Sequence, residues 1–135
     1  MYNKIFGNHG EKLAAEMLQS KKYTVIAQNY KSGGYEIDIA AFKRGVLVIV
    51  EVKSRSSTAF GEAKDAVNTV KQLRIKAATR GFLLEQAHFG KIPVYNKLFR
   101  RQIPKKIKCV RYDVVEVYFF NRTEYKINHL ENFFY

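Results

Sequence analysis

Two short segments carry charge where a strand interior would exclude it: Glu36-Ile37-Asp38 and Glu51-Val52-Lys53. Asp38 lies in the apolar run Ile37 to Ala41, and Glu51 and Lys53 end a stronger run, Val46 to Val50. A charge withdrawn from water is costly unless it is paired, hydrogen-bonded or bound to metal. Two carboxylates and one ammonium at adjacent strand ends suit metal-dependent phosphodiester hydrolysis. Carboxylate oxygens hold a hard cation, and a lysine can orient a water or offset charge on the phosphate. Asp38, Glu51 and Lys53 are therefore the candidate catalytic residues, the two carboxylates doubling as metal ligands.

The chemistry depends on a hairpin. Lys43-Arg44-Gly45 reads as a tight turn between two strands, Glu36 to Phe42 and Val46 to Lys53. With a symmetric turn, partners are positions whose numbers add to about 89, which sets Asp38 opposite Glu51. Glu36 and Asp38 share one face, as do Glu51 and Lys53. The same register sets Glu36 opposite Lys53, so a plain cross-strand ion pair is the competing, purely structural reading.

Around this hairpin the periodicities predict a helix opened by Gly7-Asn8-His9-Gly10, with Leu13, Ala14, Met17 and Leu18 on one face. Asn8-x-x-Glu11 has the spacing of a capping box, and a helix beside the hairpin could instead deliver Glu11 to a metal. A first strand is expected over Tyr23 to Ala27 and a turn at Lys31 to Gly34. Ser54 to Gly61 reads as a polar loop. A long helix follows from Glu62 to Glu85, its apolar stripe Ala66, Val70, Leu73 and Ala77, with Gly81 ending or loosening it. Pro93 and Pro104 argue against helix beyond it. Val110 to Phe120 is a further strand and Glu124 to Ile127 a shorter one, and the aromatic tail from His129 to Tyr135 is expected to dock on the core. The order implies one domain over residues 1–135, an α/β sandwich with a small mixed sheet of four or five strands flanked by helices.

Lys and Arg number 24 against 12 Asp and Glu, a formal net charge of +12, which favours polyanionic partners, nucleic acid first. Gln86 to Tyr112 contains no acidic residue. Arg55 and Lys71, with Lys97, Arg100, Arg101, Lys105 and Lys106 of that stretch, are candidate phosphate contacts. Tyr95 and Phe99 are interleaved among these charges, where packing is the favoured role and base stacking the alternative. The lone Cys109 excludes an internal disulfide and reads as a small buried hydrophobe. No apolar run approaches a membrane span and no secretory h-region follows Met1, so a cytoplasmic protein that does not bind membrane is expected. A non-catalytic nucleic-acid-binding protein remains the alternative to an enzyme, and an adaptor for membrane surfaces or acidic proteins is a third reading.

Several motifs together resemble a known family. Gly7-x-x-Gly10-Glu11-x-x-Ala14, Asn29-Tyr30, Glu36-Ile37-Asp38-Ile39-Ala40 and Val50-Glu51-Val52-Lys53-Ser54-Arg55 are similar to the YraN-like bacterial proteins. Phe60-Gly61, Ala66-Val67, Lys71-Gln72, Ala77-Ala78, Arg111 to Val115 and Ile127-x-His129-Leu130 extend the likeness over most of the chain. That family resembles the restriction-endonuclease-like superfamily, most closely archaeal Holliday-junction resolvases. The resemblance implies a DNA endonuclease of repair or recombination, acting on branched or single-stranded DNA and able to work as a homodimer. It implies Mg²⁺ or Mn²⁺ held by Asp38, Glu51, the Val52 carbonyl and Glu11, with Lys53 catalytic. Tyr35 stands where the family usually has a second glycine, and the basic stretch from Gly90 to Lys108 looks long for it. The latter suggests an added DNA-binding loop or an oligomer contact.

Overall fold

The chain alternates between segments that bury both faces and segments that bury one, and the layers follow from that. The computed structural model describes residues 2–56 and 67–135, with side chains from Asn8 onward. Helix α1 (Tyr2–Ser20) leads into strands β1 (Thr24–Ser32), β2 (Tyr35–Lys43) and β3 (Val46–Ser56). Helix α2 (Thr69–Gln86) follows, then β4 (Lys91–Asn96), β5 (Arg101–Lys106), β6 (Cys109–Phe119) and β7 (Tyr125–Phe134). The main sheet has the order β1-β2-β3-β6-β7, and β4 and β5 form a separate ribbon. Among the described residues only the β3–β6 pair is parallel, which makes the sheet mixed. β3 and β6 are central, and their runs Leu47 to Val50 and Asp113 to Val117 are buried throughout, as strands covered on both faces must be.

Helix α1 covers one face, setting Leu13, Ala14 and Leu18 against Ile39, Ala41, Val48, Val50, Val115 and Val117. The approach is close at Gly10, where a Cβ would overlap the Ser54 hydroxyl and lie 3.2 Å from the Ser54 Cβ. Helix α2 and the β4–β5 ribbon cover the other face. Ile75, Ala78, Phe82, Ile92 and Val94 pack there on Ala40, Phe42, Leu47, Ile49 and Val114. This is the expected mixed α/β sandwich, consistent with a small nuclease-like fold. Among the described residues no helix is long and apolar enough to cross a membrane.

Several sequence expectations need correction. Helix α1 is already helical at Tyr2, so Asn8 lies inside it and the capping box at Asn8 and Glu11 does not form. Helix α2 begins at Thr69, capped by Asn68, whose side chain accepts from the Lys71 amide at 2.9 Å. The expected helical residues Glu62 to Ala66, and Ser57 to Gly61 of the expected loop, lie outside the described residues. The buried stripe of α2 is Ile75, Ala78, Thr79 and Phe82, while Val70 and Leu73 are exposed. Phe82 decides the face: its ring meets Tyr30 edge-on at 4.9 Å, burying more apolar surface than Leu73 could. Gly81 does not end the helix; it lets α2 approach β1, since a Cβ there would overlap the Ser32 side chain.

The basic stretch is a hairpin. Pro93 faces Pro104 across it, a position that neither N–H is required to fill. Cys109 is exposed at the start of β6. The tail is the second half of β7, and Phe134 stacks on Tyr112 at 4.7 Å.

Candidate active site

The turn between β2 and β3 sets the site's register. Arg44 and Gly45 have φ of 50° and 85°, the type I′ signature that matches strand twist. Pairing then runs from Lys43 with Val46 to Ile39 with Val50, the register expected from the sequence. At Asp38 it stops. On the other side, the ladder with β1 keeps its register from Gln28–Ile39 to Tyr30–Ile37, its shift lying at Val25/Ala27, but passes over Asn29 and Asp38, and Asn29 has a φ of 51°. Ile37 packs with Ala40 and Phe42 on the α2 face, whereas Ile39 packs on the α1 face. The side-chain alternation thus slips around Asp38. Such irregularities re-aim a side chain. Here the Asp38 Oδ2 accepts from the Val52 N–H at 2.9 Å, standing in for the missing strand partner.

Glu51 is one residue beyond the last β2–β3 ladder pair. Its Oε1 lies 3.1 Å from the Lys71 Nζ on the first turn of α2. The Glu51 side chain is only 12% exposed. Burial, reinforced by the Asp38 charge and opposed by Lys71, pushes the Glu51 carboxyl up to about 7. Burial raises Asp38 as well, against the Val52 N–H and Lys71. The two carboxyls are in hydrogen-bonding contact, which lowers Asp38 and raises Glu51. Glu11 is raised by its own burial and then by the Asp38 charge, and a hydrogen bond from the Asn29 side chain opposes this. The slipped strand, the left-handed Asn29 and helix α1 therefore bring Glu11, Asp38 and Glu51 into one electrostatic neighbourhood.

The other candidates are distributed differently. Lys53 is exposed, and among the described residues no ion pair joins it to Glu36. Val52 contributes its amide to Asp38. Lys71, expected as a phosphate contact, faces Glu51 with its side chain 45% exposed. Arg55 is also turned inward: its side chain is 10% exposed, with Nε 3.4 Å from the Glu116 carboxylate. Lys97, Arg100, Arg101, Lys105 and Lys106 are all exposed on the β4–β5 hairpin. Tyr95 and Phe99 are exposed there too, against the packing role favoured from sequence. Among the described residues no group of three or more His, Cys, Asp or Glu forms a ready-made metal cage. The donors on hand are the carboxylate pair and the nearby Glu11, all hard oxygens suited to Mg²⁺ or Mn²⁺. Lys71 offsets part of their mutual repulsion, and a cation would offset more.

A second polar cluster carries no such frustration. The fully buried Asp113 accepts from Arg111 Nε and an Arg111 terminal nitrogen, both at 2.9 Å, from the Asn132 N–H at 2.9 Å, and contacts His129 Nε2 at 2.7 Å. Arg111 donates on to the Tyr23 hydroxyl at 2.6 Å, and Lys21 Nζ meets His129 Nδ1 at 2.9 Å. Burial works against the Asp113 carboxylate, but its hydrogen bonds from His129 and Arg111 hold it below the usual range. This network ties the end of α1 to β6 and β7. The sequence reading grouped Arg111, Asp113 and His129 only as motif residues.

The sequence profile described as "Uncharacterised protein family UPF0102" matches residues 10–117. A UPF0102 protein of Alkaliphilus oremlandii is 38% identical over 132 residues, covering 98% of this chain and 99% of that protein. A UPF0102 protein of Clostridium perfringens is 35% identical over 134 residues, covering 98% and 96%. One from Flavobacterium psychrophilum is 38% identical over 130 residues, covering 96% and 92%. The family-level resemblance read from the motifs is therefore real.

Proposed function

The chain belongs to the UPF0102 family, and from the geometry of its site we propose a divalent-cation-dependent phosphodiesterase that acts on DNA. The observation that carries this reading is the contacting carboxyl pair Asp38–Glu51. Two carboxyls are held in contact at a strand irregularity, and burial drives one of them up to about 7. A pair serving stability alone would gain from replacing one member by an amide, so the arrangement suggests a function that needs both charges.

Bound Mg²⁺ or Mn²⁺ would supply a water of lowered pKa and offset phosphate charge. The protein's own part is positional. The Val52 amide fixes the Asp38 carboxylate, and Lys71 favours the ionised form of Glu51 that a cation requires. Glu51 must release its proton to serve as a ligand. Glu11, steadied by Asn29, is placed to bind the cation's water shell. Lys53, exposed at the end of the same strand, can approach a phosphate from solvent. The net charge of +12 and the basic hairpin favour a nucleic-acid substrate, branched or single-stranded in this reading, and a homodimer would offer two such sites to a branch.

A non-catalytic nucleic-acid-binding protein is the second reading. It is favoured by the Lys71–Glu51 ion pair and the Val52–Asp38 hydrogen bond, which give both carboxylates a structural occupation. The test is Mg²⁺-dependent nicking of branched and single-stranded DNA by the wild type, Asp38→Ala, Glu51→Ala and Lys53→Ala. The enzyme reading expects cleavage lost in all three variants while DNA affinity measured in chelator stays near wild type. Tight DNA binding by a wild type that cuts none of these substrates, at any Mg²⁺ or Mn²⁺ concentration, would leave the second reading standing.

A further inference from the structure

At the end of the sheet away from the carboxylates, a cavity of about 440 Å³ opens between α1, β1 and the hairpin. Gln19 and Lys22 line it from the end of α1, Thr24 and Val25 from the start of β1, and Tyr95 and Lys97 from the hairpin. Its size is that of small-ligand sites, roughly 300–1,000 Å³. No acidic residue lines this cavity, although Glu16 lines the groove that adjoins it at Gln19. Tyr95 is 49% exposed, a large aromatic surface with no apolar cover. The hairpin tip that carries it is fixed: the Asn96 side chain accepts from the Leu98 amide at 2.9 Å and the Phe99 amide at 3.0 Å.

Lys22 adds an independent sign. The end of α1 is a Schellman turn, with the Tyr23 amide bonded to the Leu18 carbonyl and the Lys22 amide to the Gln19 carbonyl, both at 3.0 Å. The residue at its left-handed position is ordinarily glycine, yet here it is Lys22 with a φ of 73°. A strained lysine at the mouth of an acid-free cavity is an observed outlier of the kind that gathers at ligand sites.

We propose that this notch binds one unpaired nucleotide of a DNA strand, its base stacked on Tyr95 and its phosphate between Lys22 and Lys97. The inference deepens the nucleic-acid reading above and rests on it. Charge selects the occupant, because a second copy of a chain of net charge +12 would meet repulsion here. From Thr24 to Asn29, β1 rises about 17 Å, or roughly 3.3 Å per residue. A few nucleotides of an unpaired strand span that distance. A strand anchored in the notch can therefore reach the carboxylates.

The experiment is fluorescence anisotropy of a labelled oligo-dT and of a duplex of equal length, in chelator so that no cleavage intervenes. Tyr95→Ala is expected to weaken oligo-dT binding by about 5- to 150-fold, the range for one stacked base, with Tyr95→Phe near wild type and duplex binding unchanged. Lys22→Gly should lower the salt slope of oligo-dT binding by about 0.7 while raising the melting temperature by about 3 °C. Oligo-dT binding by Tyr95→Ala as tight as wild type overturns the notch, as does equal weakening of oligo-dT, duplex and a poly-glutamate peptide. A wild type that binds through Tyr95 but cuts nothing keeps the notch and removes the phosphodiesterase. Cleavage with Tyr95-independent binding does the reverse.

Discussion

Glu51→Gln separates the two readings of the carboxylate pair through stability alone. In the unfolded chain the carboxyl titrates near 4.5, and in the folded protein at about 7. The folded state therefore holds a proton that the unfolded chain has already released. The stabilisation from this held proton is complete below about 4.5 and is lost as pH rises through about 7. The difference of about 2.5 units, at ~1.4 kcal/mol each, bounds the loss at about 3.5 kcal/mol. That figure already contains the help from Lys71, one of the causes acting on Glu51. Glutamine keeps the shape and a hydrogen-bonding side chain and never ionises. In chelator, Glu51→Gln should match wild type near pH 4.5 and exceed it at pH 9 by about 2–3 kcal/mol, or roughly 6–10 °C in melting temperature.

The assay is thermal and urea unfolding from pH 4.5 to 9, with chelator and with Mg²⁺. Added Mg²⁺ should stabilise the wild type above pH 7, by about 2.7 kcal/mol at a hundred times its dissociation constant, and leave Glu51→Gln nearly unmoved. The opposite result in chelator, a variant less stable than wild type at pH 9, would mean that ionised Glu51 stabilises the fold through Lys71. The pair would then be a structural ion pair, and the argument for a cation site would fail.

Three further outcomes follow from the packing and charge. Asp113→Asn leaves the part-buried Arg111 against a neutral partner and should cost about 3 kcal/mol, the low end for a buried pair, in urea unfolding at pH 7. Because the folded Asp113 titrates below its ordinary value, the advantage of wild type over this variant should hold at neutral pH and shrink as pH falls through the carboxylate range. Gly10→Ala forces α1 away from Ser54 and should cost about 1–3 kcal/mol, read by thermal melting, with loss of Mg²⁺ stabilisation because Glu11 rides on the same helix. Arg100→Ala/Arg101→Ala, on the exposed hairpin, should lower the log–log salt slope of duplex binding by about 1.8, with unfolding unchanged.

The register of the site was legible because a short turn fixes it. Positive φ at both Arg44 and Gly45 matches the tight turn read between the strands, and the pairing of Ile39 with Val50 follows from counting. The slip at Asp38 was not legible, because an alternating pattern reads the same whether or not the backbone slips. The stripe on α2 failed for a related reason. Val70 and Leu73 recur at helical spacing just as Ile75 and Phe82 do, and only contact with Tyr30 and β1 selects between them. The basic hairpin was hidden because only Ile92 and Val94 alternate inward, too short a pattern to announce a strand. Lys71 was recognised as a cation, but its partner stands on another element, and no spacing along α2 points to it.

The slip at Asp38 also accounts for the site's charge state. A strand in regular register would have paired the Val52 amide with a backbone carbonyl of β2 and left the Asp38 side chain free to relax toward solvent. Here the side chain takes that amide, so moving Asp38 outward would orphan a partly buried N–H, at a cost of about 1–3 kcal/mol. The carboxylate cannot swing away from Glu51 to relieve their repulsion. The protein is left with a proton or Lys71 to do so, and neither does it fully, because Glu51 still rests at about 7. Asp113 makes the contrast within the same molecule. More deeply buried than Asp38 or Glu51, it gathers four hydrogen-bond contacts and is held below the ordinary range. The fold can satisfy a buried carboxylate where only stability is at stake. At Asp38 and Glu51 it supplies fewer partners than the charges need, and a divalent cation would supply the rest.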